Sequence, residues 1–264
     1  MKIIVTGGYG FIGSNLIKKL LSKKNNKVLN LDAKKYSSMP ESLNHYKHYS
    51  NYSFKKIDVS DYKQLNNIVK KYKPNIIFHL AAESHVDNSI NDSFDFINTN
   101  IIGTYNLLKS IQFNIKYLKN FLFVHVSTDE VYGSLKNKKE KSFIESSKFY
   151  PNSPYSASKA SSDLLVRAWN KTYNIPSIIT NCVNNYGPWQ FPEKLIPVVV
   201  NSCIKFIPIP IYGNGKNIRE WIHVEDHVDC LIELSKKGKI GETYNIGSGY
   251  ELENLTLVKK ICDY

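Results

Sequence analysis

The stretch Met1–Ser14, MKIIVTGGYGFIGS, decides the fold of this chain. Its apolar run Ile3–Val5 breaks into glycines at Gly7, Gly10 and Gly13, which predicts a strand, a tight turn and the start of a helix. In such a turn the first glycine permits the bend, the second lets the backbone approach a pyrophosphate, and the third lets the helix pack closely on the strand. The phosphates would meet free N–H groups and the positive end of the helix.

A carboxylate at the end of the second predicted strand indicates which dinucleotide would bind. The strand Lys27–Leu31 ends at Asp32, nineteen residues after Gly13 and close to the ~20-residue offset at which a carboxylate accepts hydrogen bonds from ribose hydroxyls. Asp32 would repel the 2′-phosphate of NADP and therefore favours NAD, although Lys34 and Lys35 argue weakly the other way. A glycine triplet alone can also be a structural turn; the strand, the helix and Asp32 together predict the cofactor.

Short apolar strands alternate with helical patterns along most of the chain. This alternation predicts an α/β fold, a Rossmann-type doubly wound parallel sheet with helices on both faces. The carboxyl ends of the strands should form one crevice lined by polar residues. The predicted strands are Ile3–Thr6, Lys27–Leu31, Phe54–Ile57, Asn75–His79, Phe121–Ser127, Ser177–Asn181 and Thr243–Ile246, and the predicted helices are Gly13–Lys23, Tyr62–Lys71, Phe94–Gln112 and Pro154–Tyr173.

The pattern changes after about Asn184, where prolines interrupt short segments. We expect residues 1–183 to form an NAD-binding domain, with a return segment at about 219–235. Residues 184–264 should form a smaller C-terminal substrate lobe. The length of 264 residues suits one α/β domain with such an added lobe.

The net charge of +12 does not by itself indicate a nucleic-acid partner. Only Arg167 and Arg219 are arginines among the 35 basic residues, and the lysines are spread along the chain. A surface that reads phosphates more often clusters the bidentate guanidinium group. We therefore expect no nucleic-acid partner.

From the cysteines, histidines and apolar segments we expect a cytoplasmic protein that binds no metal and does not associate with a membrane. The N-terminus is a strand without signal-peptide features, and the most apolar stretch, Leu195–Tyr212, is interrupted by Asn201, Lys205 and prolines. His223 and His227 are four apart but have no evident third ligand. The cysteines have neither CxxC nor metal-ligand spacing and should be reduced thiols: Cys182, Cys203, Cys230 and Cys262.

Tyr155 and Lys159 form a YxxxK pair at the start of the helical stretch SPYSASKASSDLL. Side chains four apart share one helix face. A nearby ammonium and the positive nicotinamide ring would lower the pKa of the phenol, so that Tyr155 could take a hydroxyl proton while hydride leaves the same carbon. The pair could also be an exposed chance match in a chain rich in both residues. The glycine motif upstream favours the catalytic interpretation.

The motif STDEVYG, residues 127–133, places Thr128, Asp129 and Glu130 at the end of a buried strand. A helix cap or a solvated turn would use the same residue types. The alternative is a pair of carboxyl groups with opposite duties: one carboxylate removes an acidified C–H proton, and one carboxylic acid protonates a leaving hydroxyl. Beside a new ketone, such a pair would eliminate water.

Seven motifs make the chain similar to one known family. They are TGGYGFIGS, LAAESHVDNSI, STDEVYG, SPYSASKASSDLLVRAW, NCVNNYGPWQFPEKLIP, PIYGNGKNIREWIHVEDH and GETYNIGSG, and they run from Met1 to about Thr256. The chain resembles the nucleotide-sugar 4,6-dehydratases of the extended short-chain dehydrogenase/reductase group. Sugar epimerases of that group share the glycine motif and YxxxK but usually carry other residues at Asp129 and Glu130, so the acidic pair is the specific marker.

The resemblance implies a lyase that converts a nucleoside-diphosphate glucose into a 4-keto-6-deoxy sugar. Tyr155, assisted by Thr128, would take the proton of the 4-hydroxyl, with Lys159 beside it. Glu130 would remove the C5 proton and later return it, and Asp129 would protonate the departing C6 hydroxyl. A 4-epimerase, a decarboxylase or an NAD-binding protein without turnover remain alternatives. The residues leave the base open between thymidine and uridine.

The resemblance also implies binding residues and partners. Arg219 would clamp the diphosphate, with a surface salt bridge to a neighbouring glutamate as its alternative. The two predicted helices Phe94–Gln112 and Pro154–Tyr173 would build a homodimer. The family's chains usually continue beyond Tyr264 with a segment that adds nucleotide contacts. Cofactor contacts would be Gly7, Gly10, Phe11, Ile12, Gly13, Asp32, Lys35, Asp58, Val59, Leu80, Ala81, Ala82, Ser84, Thr99, Tyr155, Lys159 and Asn185, and substrate contacts would be Ser84, Thr128, Asn184, Lys194, Leu195, Pro210, Ile211, Tyr212, Arg219 and Asn254.

Overall fold

A seven-stranded, all-parallel sheet organises the computed structural model of the chain, which describes residues 1–134, 142–211 and 213–264. The strand order is β3-β2-β1-β4-β5-β6-β9, so the chain starts in the middle, runs to one edge and then crosses to the other. This is the doubly wound arrangement that the sequence predicts, and the fold class is confirmed. The strands are β1 Lys2–Thr6, β2 Lys27–Asp32, β3 Tyr52–Lys56, β4 Ile76–His79, β5 Leu122–Thr128, β6 Ser177–Cys182 and β9 Thr243–Ile246, each within two residues of its predicted bounds.

Helices cover both faces of this sheet. The third predicted helix differs from expectation, because Ile97–Ile102 forms a wider π-helical turn between two α-helices. Asn100, in that turn, donates to Glu83 O and to Ser158 Oγ, so the turn is tied to the neighbouring elements. The helices are α1 Phe11–Leu21, α2 Tyr62–Tyr72, α3 Val86–Asn91, α4 Phe94–Phe96, α5 Gly103–Asn114, α6 Pro154–Tyr173, α7 Leu195–Lys205, α8 Val224–Lys237 and α9 Asn254–Cys262.

Two apolar cores lie on the two faces of the sheet. On one face Leu16 of α1 and Leu231 of α8 pack against the inner strands. On the other, Leu65 of α2, Leu107 of α5 and Val166 of α6 do the same. Each fully buried side chain of this kind stabilises the fold by about 1.5–3 kcal/mol. The cores therefore hold the carboxyl ends of the strands in fixed positions around the crevice.

A second, three-stranded sheet belongs to the region after Asn184. Strand β8 (Ile218–His223) lies in its centre, parallel to β7 (Asn184–Tyr186) and antiparallel to β10 (Glu251–Glu253). From β8 the chain continues into α8, which packs on α1, and then into β9 at the edge of the large sheet. Helices α7 and α9 pack against each other.

Within the described ranges, no helix is both long enough and apolar enough to cross a membrane. In the same ranges no group of three His, Cys, Asp or Glu side chains is placed to hold a metal ion.

Candidate functional site

The turn between β1 and α1 forms a cradle for phosphate groups. Gly7 has a φ of +70°, and a Cβ at this position would lie 2.7 Å from the amide nitrogen of Ala81, so only glycine fits. Gly10 precedes the helix, and no side chain caps the first turn. The N–H groups at the start of α1, at Phe11 and Ile12, therefore keep their capacity for an anionic ligand. The cradle fits the pyrophosphate of a dinucleotide.

The Asp32 carboxylate at the end of β2 is buried and held by three hydrogen bonds. Its Oδ2 accepts from the amide of Tyr9 at 2.9 Å, and its Oδ1 accepts from the amide of Lys34 at 2.7 Å and from Ser38 Oγ at 2.9 Å. A carboxylate offers about four acceptor positions, so one remains for a ribose hydroxyl. The Lys34 ammonium lies over the ring of Phe54 at 4.8 Å and over the ring of Tyr9 at 5.5 Å.

Lys35 contacts two other predicted cofactor residues, and it also contacts one that the sequence analysis missed. Its Nζ donates to Thr99 Oγ1 at 3.0 Å and lies 4.0 Å from Asp58 Oδ2. The missed partner is Glu83, whose Oε1 lies 2.8 Å away. Burial lowers the pKa of Lys35, but the hydrogen bond and charge of Glu83 outweigh it and raise the pKa overall. This ammonium is therefore committed to carboxylates and does not offer a free charge to NADP.

The remaining predicted cofactor residues lie in β7, in α1 or directly after strands of the large sheet. Asn185 in β7 donates to Val183 O at 2.9 Å, and its Oδ1 lies 2.9 Å from Nδ1 of the buried His227. His227 therefore acts as a core histidine that fixes Asn185. Val59 follows β3, Gly13 lies in the first turn of α1, and Leu80, Ala81, Ala82 and Ser84 follow β4.

The acidic pair lies where β5 ends. Thr128 closes the strand, and Asp129 and Glu130 begin a single 3₁₀ turn, Asp129–Tyr132. The Thr128 hydroxyl donates to Asp129 Oδ1 at 3.3 Å and accepts from the amide of Glu130 at 3.3 Å. One strand end therefore presents both carboxyl groups.

The two carboxyl groups have different electrostatic surroundings. Burial, then the charge of Glu130, raises the pKa of Asp129 to about 7. Burial also raises the pKa of Glu130, while the charges of Arg219 and Lys194 oppose that rise. The cations thus favour the ionised form of Glu130, and Glu130 in turn favours the protonated form of Asp129. The pair is suited to one acid and one base.

Tyr155 and Lys159 lie on the face of α6 that packs on β5. The Tyr155 phenol lies beside the Thr128 side chain, and Lys159 Nζ donates to Val126 O at 2.9 Å. Burial, followed by the charge of Glu130, raises the pKa of Tyr155 well above its usual range. This direction is opposite to the expected lowering, because in the protein alone desolvation and the nearby acids outweigh the ammonium.

A buried polar cluster behind this pair was not foreseen. Asp163 lies one turn after Lys159 on α6, and its Oδ2 accepts from Ser127 Oγ at 3.0 Å and from Asn181 Nδ2 at 3.1 Å. His125 Nε2 lies 3.1 Å from Asp163 Oδ1, outside hydrogen-bonding geometry. Burial raises the pKa of Asp163 to about 7, and the charge of Lys159 opposes the rise. The only sequence signal was its spacing of four from Lys159.

A pocket of about 400 Å³ opens in front of the acidic pair. The pocket is lined by Asp129, Glu130 and Arg219, so the predicted substrate residue Arg219 shares one pocket with both acids. Glu220 and Glu251 also line it and were not predicted. The other predicted substrate residues that the structure describes do not line this pocket: Ser84 after β4, whose carbonyl accepts from Lys194 Nζ at 3.4 Å; Thr128 at the end of β5; Asn184 in β7; Lys194 and Leu195 at the start of α7; Pro210 and Ile211 before β8; and Asn254 at the start of α9. Tyr212 lies outside the described residues.

Comparison with known proteins places the chain in a family. The sequence model of the GDP-mannose 4,6 dehydratase family matches residues 4–264, and the chain belongs to this family. It is 47% identical over 278 residues to a dTDP-glucose 4,6-dehydratase from Salmonella typhimurium, covering 100% of this chain and 76% of that protein.

Solved structures agree with this assignment. A dTDP-glucose 4,6-dehydratase from Streptomyces venezuelae, crystallised as a double mutant with NAD and a second ligand bound, superposes with a TM-score of 0.93 at 40% identity. It covers 100% of this chain, which spans 80% of that structure. A UDP-glucose 4-epimerase from Thermotoga maritima, solved with UDP-glucose, gives 0.87 at 29% identity, covering 100% of this chain and 83% of that one.

Proposed function

We propose that this protein is an NAD-dependent dehydratase that converts dTDP-glucose into its 4-keto-6-deoxy product. The observation that carries the proposal is the Asp129–Glu130 pair, which lines the pocket and whose surroundings favour one acid and one base. The similarity to dTDP-glucose 4,6-dehydratases supports the choice of sugar and of nucleotide.

The predicted cofactor residues would hold NAD. The turn at Gly7 and Gly10 would bind its pyrophosphate, Asp32 would bind the adenosine ribose, and Asp58 and Thr99 would contact the cofactor beside Lys35. NAD, when bound, supplies the acceptor and later the donor of a hydride. This chain's own residues supply the proton transfers.

Tyr155 takes the proton of the sugar 4-hydroxyl. Its side chain is half-buried beside Thr128, so the substrate hydroxyl would replace solvent at a fixed position. Because burial raises the pKa of the phenol, the positive charge of a bound nicotinamide ring would have to favour its ionised form. Lys159, donating to the Val126 carbonyl, adds a positive charge on the same helix face.

Glu130 and Asp129 then eliminate water across C5 and C6. A ketone at C4 acidifies the C5 proton, and Glu130, whose ionised form Arg219 and Lys194 favour, removes it. Asp129, with a pKa of about 7, gives its proton to the C6 hydroxyl, which leaves as water. Glu130 returns a proton to C5 in the last step. A general base and a general acid each contribute about 10²–10⁴-fold to such a step.

The nucleoside diphosphate would lie toward the second sheet. Arg219 has the planar fork that matches phosphate oxygens, and it lines the pocket from β8. Asn254, at the start of α9, is a proposed nucleotide contact, and its buried Oδ1 has no hydrogen-bond partner among the described residues. Ser84, Asn184, Lys194, Leu195, Pro210, Ile211 and Tyr212 complete the proposed substrate residues.

A 4-epimerase is the second candidate, since a UDP-glucose 4-epimerase shares the fold over the whole chain. Epimerisation needs oxidation and re-reduction at C4 but no acid–base pair at C5 and C6. The two acids beside the pocket therefore favour dehydration.

We also propose that two copies pair and that the protein acts in the cytoplasm. Phe113 on α5 and Leu164 on α6 are 62% and 56% exposed, which leaves apolar surface for a second copy on these two helices. All four cysteines are free thiols, as cytoplasmic conditions maintain them. Residues 1–183, with a return segment at about 219–235, would form the cofactor domain, and residues 184–264 would form the substrate lobe.

The test is a panel of dTDP-, UDP-, GDP- and CDP-glucose, with the mass of each product recorded. The proposal expects loss of water and the fastest turnover with dTDP-glucose. A product of unchanged mass would favour the epimerase. Bound NAD without any product from all four sugars would leave a cofactor-binding protein without turnover and would overturn the proposal.

A further inference from the structure

Two cysteines far apart in the sequence touch each other in the substrate lobe. Cys203 Sγ on α7 lies 3.7 Å from Cys262 Sγ at the end of α9. Both are free thiols; Cys203 is partly buried and Cys262 is exposed. A small oxidant can therefore reach the pair from solvent.

The packing of the two helices holds these sulfur atoms together. Val199 lies four residues before Cys203, and Val258 lies four residues before Cys262, so on each helix the valine and the cysteine share one face. Both valines are buried, and α7 and α9 pack against each other. The cysteines thus continue the face that carries the buried valine of each helix.

We propose that Cys203 and Cys262 form a disulfide in response to peroxide and thereby link α7 to α9. One thiolate attacks hydrogen peroxide, which leaves a sulfenic acid and releases hydroxide. The second thiolate then displaces the hydroxyl group from that sulfur, so the S–S bond forms, two thiols lose two electrons, and two waters are produced after protonation. The sulfur atoms must approach by roughly 1.6 Å to reach bonding distance.

The link would act on the substrate end of the lobe. Helix α7 begins at Leu195 and α9 at Asn254, and each cysteine lies eight residues further along, about 12 Å by helix rise. These first residues are proposed nucleotide contacts, so this consequence rests on the proposed function. Moving the far ends of both helices together should change affinity for the nucleotide and leave the cofactor turn at Gly7 unaffected.

The first experiment treats the full chain with hydrogen peroxide, blocks the remaining thiols and maps peptides by mass. We expect one linked peptide pair containing Cys203 and Cys262, two hydrogens lighter than the sum, and its reversal by a thiol reductant. Cys203→Ser and Cys262→Ser should each abolish it. Cys230→Ser, which removes an exposed thiol on α8, is the matched control and should keep it. Separate oxidation of both sulfurs without a linked pair would overturn the proposal.

The second experiment compares the reduced and linked forms by calorimetry with dTDP and with NAD as separate probes. We expect the Kd for dTDP to change at least about threefold on linking, the Kd for NAD to stay within about twofold, and Cys262→Ser to show neither change after peroxide. An unchanged dTDP affinity in fully linked protein would refute the effect on the lobe. Absence of dTDP binding in both forms would count against the proposed function, while the peptide map decides the disulfide independently.

Discussion

Asp129 follows the end of β5 directly, Asp163 on α6 binds Ser127 of the same strand, and burial raises the pKa of each aspartate to about 7. Their surroundings are otherwise different. Asp129 lines the 400 Å³ pocket next to Glu130, whereas Asp163 is sealed between Ser127, Asn181 and His125. A raised pKa therefore marks a buried carboxyl group and does not by itself mark a catalytic one. Access to a substrate makes the difference.

The charges next to the two aspartates favour different protonation states. The negative charge of Glu130 disfavours ionisation of Asp129, so Asp129 keeps its proton beside a carboxylate that lines the same pocket. Lys159 attracts negative charge on Asp163 and limits its rise. In the proposed mechanism the first arrangement delivers a proton to the substrate, and the second would fix the helix face that carries Tyr155 and Lys159.

Glu130→Gln tests the pocket side and should have the largest effect. The amide cannot remove the C5 proton, so dehydration of dTDP-glucose should fall by about 10³-fold or more, measured as product mass over time. NAD content, measured after denaturation, should stay at the wild-type level. Glu41→Gln, an exposed glutamate, is the control. Dehydration near the wild-type rate would remove Glu130 from the elimination step.

Asp129→Asn should lower the turnover rate by about 10²–10³-fold, since the amide cannot supply a proton to the leaving hydroxyl. The variant should bind dTDP within about threefold of the wild type, because no binding contact is assigned to this side chain. Steady-state kinetics and calorimetry measure the two quantities. A change confined to dTDP affinity would make Asp129 a binding residue.

Asp32 is a third buried carboxylate, and in the proposal it binds the cofactor instead of the sugar. Asp32→Ala removes the acceptor for a ribose hydroxyl and also leaves the amides of Tyr9 and Lys34 without their partner. NAD affinity should fall by about 10–100-fold, as expected for losing hydrogen bonds to a charged group. Titration of cofactor-free protein measures it. An unchanged affinity would exclude the ribose contact.

Asp163→Asn tests the buried carboxyl group behind the site and should have the smallest effect on turnover. The turnover rate of this variant should stay within about tenfold of the wild-type rate. Its effect should appear in stability. Between about pH 4 and 7, the native Asp163 keeps its proton while the unfolded carboxyl, with a pKa of 3.8, has lost it. The unfolding free energy of the wild type should therefore fall with rising pH by up to ~1.4 kcal/mol per unit from this group. The asparagine variant should lack that slope in denaturant unfolding, and an identical slope would contradict the assignment.

The large sheet was predictable from the sequence, because its strands are short apolar runs bounded by glycine or polar residues. Thr243–Ile246 was placed correctly even though it lies far from the other strands in the chain. The glycine turn, Asp32 and the YxxxK helix were also placed, since each carries its own spacing signal. The small sheet was missed: β7 and β10 are only three residues long, and their pairing with β8 depends on contacts between distant segments.

The site was predictable where the resemblance supplied it and less so elsewhere. Glu83 and Asp163 were missed because their partners, Lys35 and Ser127, lie 48 and 36 residues away in the sequence. The direction of the Tyr155 pKa was wrong for the protein alone. Sequence spacing showed the ammonium nearby but not the degree of burial, which is the largest cause of the shift.

The pH dependence of turnover tests most directly the division of labour between the two carboxyl groups. Because Asp129 must be protonated to act, kcat of the wild type should fall as the pH rises through about 7. Asp163→Asn should keep this alkaline limb, and the slow residual turnover of Asp129→Asn should lack it. An alkaline limb that persists in Asp129→Asn, or that disappears in Asp163→Asn, would contradict the account.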